Sequence, residues 1–128
     1  MKQYIGTKII FAEPQEKDGA EGYAVVYADG YKSWSPKGVF EAAYRECSAM
    51  TFGLAVEALK AGFKVARIGW NGKGMWLNLV PVEVAQAVAQ ALDAAPWIGM
   101  KTADNKFVPW LASQTDVLAE DWVIAETL

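Results

Sequence analysis

Residues 63–80 read FKVARIGWNGKGMWLNLV, and the fold turns on this stretch. Two runs rich in β-branched and aromatic residues flank the glycine-rich NGKG. That pattern predicts two antiparallel strands joined by a tight turn. Val65 and Ile68 fall near opposite faces, so the hairpin is expected to be covered on both sides near its middle. In this reading NGKG joins two strands and opens no helix, so it is no phosphate loop.

Working upstream, residues 51–62 (TFGLAVEALKAG) carry the marks of a helix. Thr51 is a good N-cap, Phe52, Ala55, Val56 and Leu59 make an apolar stripe, and Gly62 is the stop. Downstream, Pro81 opens an alanine-rich run that predicts a helix over 81–94, with Val84, Val88 and Leu92 as its buried seam. PWIGMK and KFVPW read as short strands joined by Thr102-Ala103-Asp104-Asn105. Ser113 with Asp116 three residues on is a capping signal for a short helical turn. Residues 121–125 read as a final strand.

Nearer the N-terminus, GYAVVYADGYKSWS predicts a second hairpin, with Asp29-Gly30 in its turn and Tyr23, Val25 and Tyr27 on one face. Ser35-Pro36 is expected to open a helix over 36–45, with Phe40, Ala43 and Tyr44 on one side. Residues 13–22, with four acids, read as an exposed loop. Hairpins alternating irregularly with short helices predict an α+β fold, an antiparallel sheet packed with short helices. Two parts are expected, residues 1–48 and 49–128.

Hydrophobic residues make up 53% of the 128 and charged residues 21%, a globular composition. No apolar run approaches the roughly 18–20 residues that cross a bilayer. The N-terminal IIF is too short for a secretory signal, so a cytoplasmic protein without a membrane partner is expected. The net charge of -3 argues against a nucleic-acid polymer as partner. The charge is uneven, however: Lys60, Lys64, Arg67 and Lys73 stand together with no acid between them. Such a basic zone suits one small anion, or is ordinary surface charge. With no histidine and a single cysteine, an intrachain disulfide, a Cys/His zinc site and a histidine-dependent nucleophile are excluded. Cys47 is read as a structural thiol. No catalytic residue, metal or cofactor is expected, although Asp116 and Asp121 would matter if the fold brought them together.

Five of the six tryptophans fall after residue 49. Trp76 and Trp122 read as core strand residues. Trp70 differs, because it sits at a strand-to-turn junction beside Asn71 and near Arg67. Trp110 leads into the polar run Ser113-Gln114-Thr115-Asp116. A tryptophan face stacks on a base, Asn, Gln and Asp read base or ribose edges, and Arg67 suits a phosphate. Core packing accounts for the same tryptophans, and a helix cap for the same polar run.

Several ordered motifs carry a resemblance. They are Phe52-Gly53, Lys60-Ala61-Gly62, Gly69 to Lys73, Met100 to Asp104 and Pro109 to Asp116. Over residues 50–124 the sequence resembles the phage Thoeris anti-defence proteins of the second type. The resemblance implies a sponge that binds cyclic ADP-ribose-type signals made by Toll/interleukin-receptor-like enzymes and holds them uncleaved. Some members also bind cyclic dinucleotides. It further implies a homo-oligomer, typically a tetramer, with pockets at subunit interfaces in the infected host's cytoplasm. Carried over, Phe52, Trp70 and Asn71 line the pocket with Arg67 near phosphate. Trp110, Ser113, Gln114 and Asp116 come from the same or a neighbouring subunit. Two features depart from the pattern: the helix expected over 81–94 replaces a longer, less helical stretch, and residues 1–48 lie outside it. Those residues resemble an N-terminal segment found on varied phage proteins. The competing readings are a structural or interaction module of a phage protein, with tryptophans serving only as core, and a nucleotide-processing enzyme.

Overall fold

The computed structural model describes residues 1–125. The chain divides into two compact units, Met1–Arg45 and Glu46–Leu128. In the first, β1 (Phe11–Pro14), β2 (Gly22–Val26) and β3 (Lys32–Pro36) form an antiparallel sheet in that order. The β2–β3 hairpin has its expected turn. The Asp29 carboxylate accepts the Tyr31 backbone N–H, and Gly30 takes a left-handed conformation. α1 spans Lys37–Ala43, and its Phe40 stacks between Tyr23 and Tyr44.

Two expectations for this unit need correction. Ser35 does not cap α1, because it belongs to β3 opposite Tyr23, and Pro36 occupies the cap position without a side-chain bond. The stretch read as a loop from residue 13 begins inside β1, whose own sequence lacks the alternation that marks a half-buried strand. All four β1 residues are exposed.

The second unit is built on a five-stranded antiparallel sheet. Its elements are α2 (Phe52–Lys60), β4 (Val65–Arg67), a 3-10 helix (Ile68–Lys73) and β5 (Trp76–Val80). They continue with α3 (Val82–Ala89), β6 (Trp97–Lys101), β7 (Phe107–Pro109), α4 (Gln114–Leu118) and β8 (Trp122–Ile124). Spatial order is β7-β6-β5-β4-β8, so the last strand returns to pair with β4. The fold is α+β, as the sequence predicts. Its core is Met50, Ala55, Ala58, Leu59, Val65, Leu77 and Trp122, all buried.

Helix α2 begins and ends as its sequence dictates. The Thr51 hydroxyl accepts the Leu54 N–H. At the other end the Gly62 N–H donates to Leu59 and the Phe63 N–H to Ala58, with Gly62 at φ 95°. This pair of bonds is a Schellman cap, which needs a left-handed residue at that position.

The hairpin at 63–80 is the main departure. β4 and β5 do pair antiparallel, but the register is Val65 with Leu77, and residues 68–73 wind into a 3-10 helix. The turn is therefore wider than NGKG alone. Ile68 leaves the strand and is exposed, so the hairpin is not covered there on both faces. α3 is also shorter than expected, stopping where Gln90 takes φ 58°. Its predicted seam faces outward: Val84, Val88 and Leu92 are exposed and no α3 residue is buried. The Gln86 side chain reaches past the end of α3, donating to the Gln90 and Leu92 carbonyls and accepting the Ala94 N–H.

The two glycines of the α2 region make a paired test. Gly62→Ala places a Cβ on a left-handed residue and is expected to lower stability by about 1 kcal/mol. Gly53 lies inside α2, where an added Cβ meets nothing nearer than the Thr51 hydroxyl at 4.0 Å. Gly53→Ala is expected to raise stability by about 0.5 kcal/mol. Urea unfolding of both variants checks the pair.

Candidate functional site

Trp122 is the centre from which the site is built. It opens β8, pairs with Arg67 across the sheet, and is fully buried. Its backbone also exchanges hydrogen bonds with Met50, just before α2. That bridge brings Phe52, the first residue of α2, against the Trp122 ring, 5.4 Å between centroids. Trp70 of the 3-10 helix meets Trp122 edge-on at 5.5 Å, and Trp110, following β7, does so at 6.0 Å. Trp110 also contacts Phe52 and Trp70, so three half-buried aromatics surround one buried indole. Offset and edge-to-face pairs of this kind are favoured by the ring quadrupoles.

A polar network lies against this cluster. The Trp122 indole N–H donates to the Asp116 carbonyl at 2.9 Å. Ser113 and Asp116 form a full capping box at the start of α4. The Ser113 hydroxyl accepts the Asp116 N–H, and the Asp116 carboxylate accepts the Ser113 N–H. The other Asp116 oxygen takes Arg67 Nη1 at 3.1 Å. Asp121 takes Arg67 Nε at 2.9 Å and Nη2 at 3.3 Å. The two acids therefore do meet, across Arg67.

The electrostatics follow from this packing. Desolvation pushes the Asp116 carboxyl up. The Ser113 hydroxyl and N–H, joined by the Arg67 guanidinium, outweigh it and hold the group below its ordinary value. The Arg67 guanidinium is raised in turn, by its hydrogen bond to Asp121 first and to Asp116 next. Arg67 thus faces two carboxylates at close range, and the remaining N–H groups of Nη1 and Nη2 are what it has left for another acceptor.

The structure brings Phe52, Trp70 and Trp110 together, and Arg67, Ser113 and Asp116 beside them. Gln114 is exposed at the first position of α4. Asn71 belongs to the 3-10 helix, and its side chain lies outside the described residues. Two residues that were not singled out as site residues join the group: Trp122, read only as core, and Asp121. The basic zone is largely spoken for: Lys60 pairs with Glu57, Lys64 lies over the Trp76 ring, and Arg67 is held by its acids. Cys47 is exposed, so its sulfur packs into no core. Among the described residues, no cluster of three or more His, Cys, Asp or Glu is placed to hold a metal, and no helix is long and apolar enough to cross a membrane. A groove of about 410 Å³ lies in the first unit, lined by Lys8, Ile9, Tyr27 and Tyr31 among others, none of them in the aromatic cluster.

The second unit is thus a small α+β domain organised on a tryptophan-centred cluster with an Arg–Asp–Ser network beside it. A family model, Tad2-like, described as the Thoeris anti-defense 2-like domain, matches residues 50–125. The Thoeris anti-defense 2 protein of Bacillus phage SP01 is 46% identical over 86 aligned residues, covering 59% of this chain and 93% of that protein. The chain belongs to the Thoeris anti-defense 2-like family, and its role is an anti-defence one.

The depressed Asp116 value fixes a pH response. A carboxyl held below its unfolded value contributes stability that is fully present above that value and is lost as pH falls from there through the lower folded value. Stability is therefore expected to drop as pH passes below the ordinary aspartate value of 3.8. Asp116→Asn is expected to lower stability at neutral pH by about 1–2 kcal/mol and to weaken the acid-side dependence. Denaturant midpoints across the acid range check both.

Proposed function

We propose that this protein binds a cyclic nucleotide immune signal, a cyclic ADP-ribose isomer, and sequesters it without cleavage, so blocking an anti-phage response. Cyclic dinucleotides are a second ligand class for the same proposal. The observation that carries the reading is the set of half-buried faces of Phe52, Trp70 and Trp110, backed by the buried Trp122. Aromatic faces fixed in this way stack on a base with little ordering required on binding.

The polar residues supply the rest. Gln114 offers a neutral donor and acceptor for base or ribose edges, and Ser113 and Asp116 sit at the α4 start. Arg67 contacts a phosphate through the N–H groups that its two aspartates leave open. Holding without cleavage is supported by the state of those acids. Both are engaged on Arg67, and a carboxyl as acidic as Asp116 is a poor general acid at neutral pH.

Residues 49–128 form the signal-binding domain in this reading, and residues 1–48 a separate lobe. The active form is a homo-oligomer, a tetramer by resemblance. The exposed Val84 and Val88 of α3, with Leu92 just beyond it, give a second copy an apolar surface to meet.

Thermal shift with a panel of cyclic ADP-ribose isomers and cyclic dinucleotides tests the reading, because a ligand that binds only the folded state raises the melting temperature. At least one is expected to do so, and heating the complex is expected to return that ligand intact on chromatography. Trp70→Ala is expected to weaken binding at least about tenfold while the protein still unfolds in a single cooperative transition. A hydrolysed product would instead mark an enzyme. No shift with any ligand would favour a structural module of a phage protein.

A further inference from the structure

The 3-10 helix that carries Trp70 is tied down at both ends by residues outside it. At its start, the Ile68 N–H donates to the Asp121 carbonyl at 3.2 Å, next to the ion pair of Arg67 with the Asp121 carboxylate. Just past its end, Lys101 Nζ donates to the Gly74 carbonyl at 2.9 Å. Lys101 is half-buried on β6, opposite Trp76 in the register. Its neighbour Met100 packs on the core, which puts Lys101 on the other face of the sheet. Gly74 takes φ 62°, and a Cβ there would lie 3.3 Å from Lys101 Nζ. Glycine therefore gives both the left-handed bend and the room that the ammonium occupies.

A 3-10 run of six residues is longer than this geometry usually sustains by itself. A cation at its C-terminal end matches the helix dipole, and Lys101 satisfies the carbonyl of Gly74, the residue that follows the run. We propose that Lys101 is a positioning residue for the ligand face of Trp70, closing the end of the turn as Asp121 closes its start. The proposal rests on the sequestration reading for its ligand, but not for its structural half. Lys101 contributes no core side chain, so its loss loosens the turn and spares the core. It also gives the Met100–Asp104 motif a local purpose: Met100 packs inward, Lys101 holds the turn, and Thr102 and Asp104 bond each other in the bend that leads to β7.

The test compares Lys101→Met, Lys101→Arg and Gly74→Ala by hydrogen exchange and by titration with cyclic ADP-ribose. In Lys101→Met, amides of residues 68–75 are expected to exchange about tenfold faster, with α2 protection unchanged. Gly74→Ala, which disturbs the same contact from the backbone side, is expected to do likewise, and Lys101→Arg to restore protection. Affinity for cyclic ADP-ribose is expected to fall about tenfold in Lys101→Met and to recover in Lys101→Arg. Wild-type exchange at 68–75 in Lys101→Met overturns the proposal, and so does faster exchange with unchanged affinity. If wild type itself does not bind cyclic ADP-ribose, the sequestration reading loses that ligand, and the exchange data alone decide whether Lys101 holds the turn.

Discussion

Trp122 donates its indole N–H to the backbone carbonyl of Asp116, and the second unit is organised around that bond. A fully buried indole needs a partner for its single donor, since an unsatisfied one is costly. The residue that supplies the acceptor also caps α4 with its carboxylate and receives Arg67. The apolar centre and the polar network therefore share one residue. The Trp122 ring orients Phe52, Trp70 and Trp110, while Asp116 and Asp121 orient Arg67. The two groups are joined through Asp116.

This sharing determines what kind of recognition the site suits. Arg67 is matched by two carboxylates before any ligand arrives, so the region is not an open cationic trap. Under the proposed function, binding energy there would come chiefly from flat aromatic faces and directed hydrogen bonds, with charge playing a smaller part. That balance fits a compact, ring-bearing molecule better than an extended polyanion, whose binding depends on many unpaired lysines and arginines. It also agrees with the mildly acidic total of the chain.

What the sequence reveals here is mostly what is local. Thr51, Gly62 and the Ser113–Asp116 pair sit where short-range hydrogen-bond rules put them, and the strands at 97–101 and 107–109 follow from apolar runs around a turn. The return of β8 to β4 is not local, because Arg67 and its aspartates are separated by 49 and 54 residues. For that reason the basic stretch looked open to an anion when Arg67 was already paired. The 3-10 helix was hidden because glycine and asparagine permit a tight turn and a wider one equally. Trp122 is legible as a core strand residue, but its contacts with Phe52, Trp70 and Trp110 are not, because they join four separate elements. α3 shows the reverse error. Its periodicity correctly marks a helix, yet periodicity identifies an apolar face without saying whether this same chain covers it.

α3 has a consequence for how such a protein can change. It joins two neighbouring strands whose pairing runs unbroken through five residue pairs, and it adds nothing to the buried core. Gln86 ties off the end of the helix with its own side chain, so the segment is finished internally and asks little of the sheet below. A connection built this way can be lengthened, shortened or replaced while the strands on either side keep their register. The domain thus keeps its buried centre apart from a connection whose outer surface can be altered without rebuilding that centre.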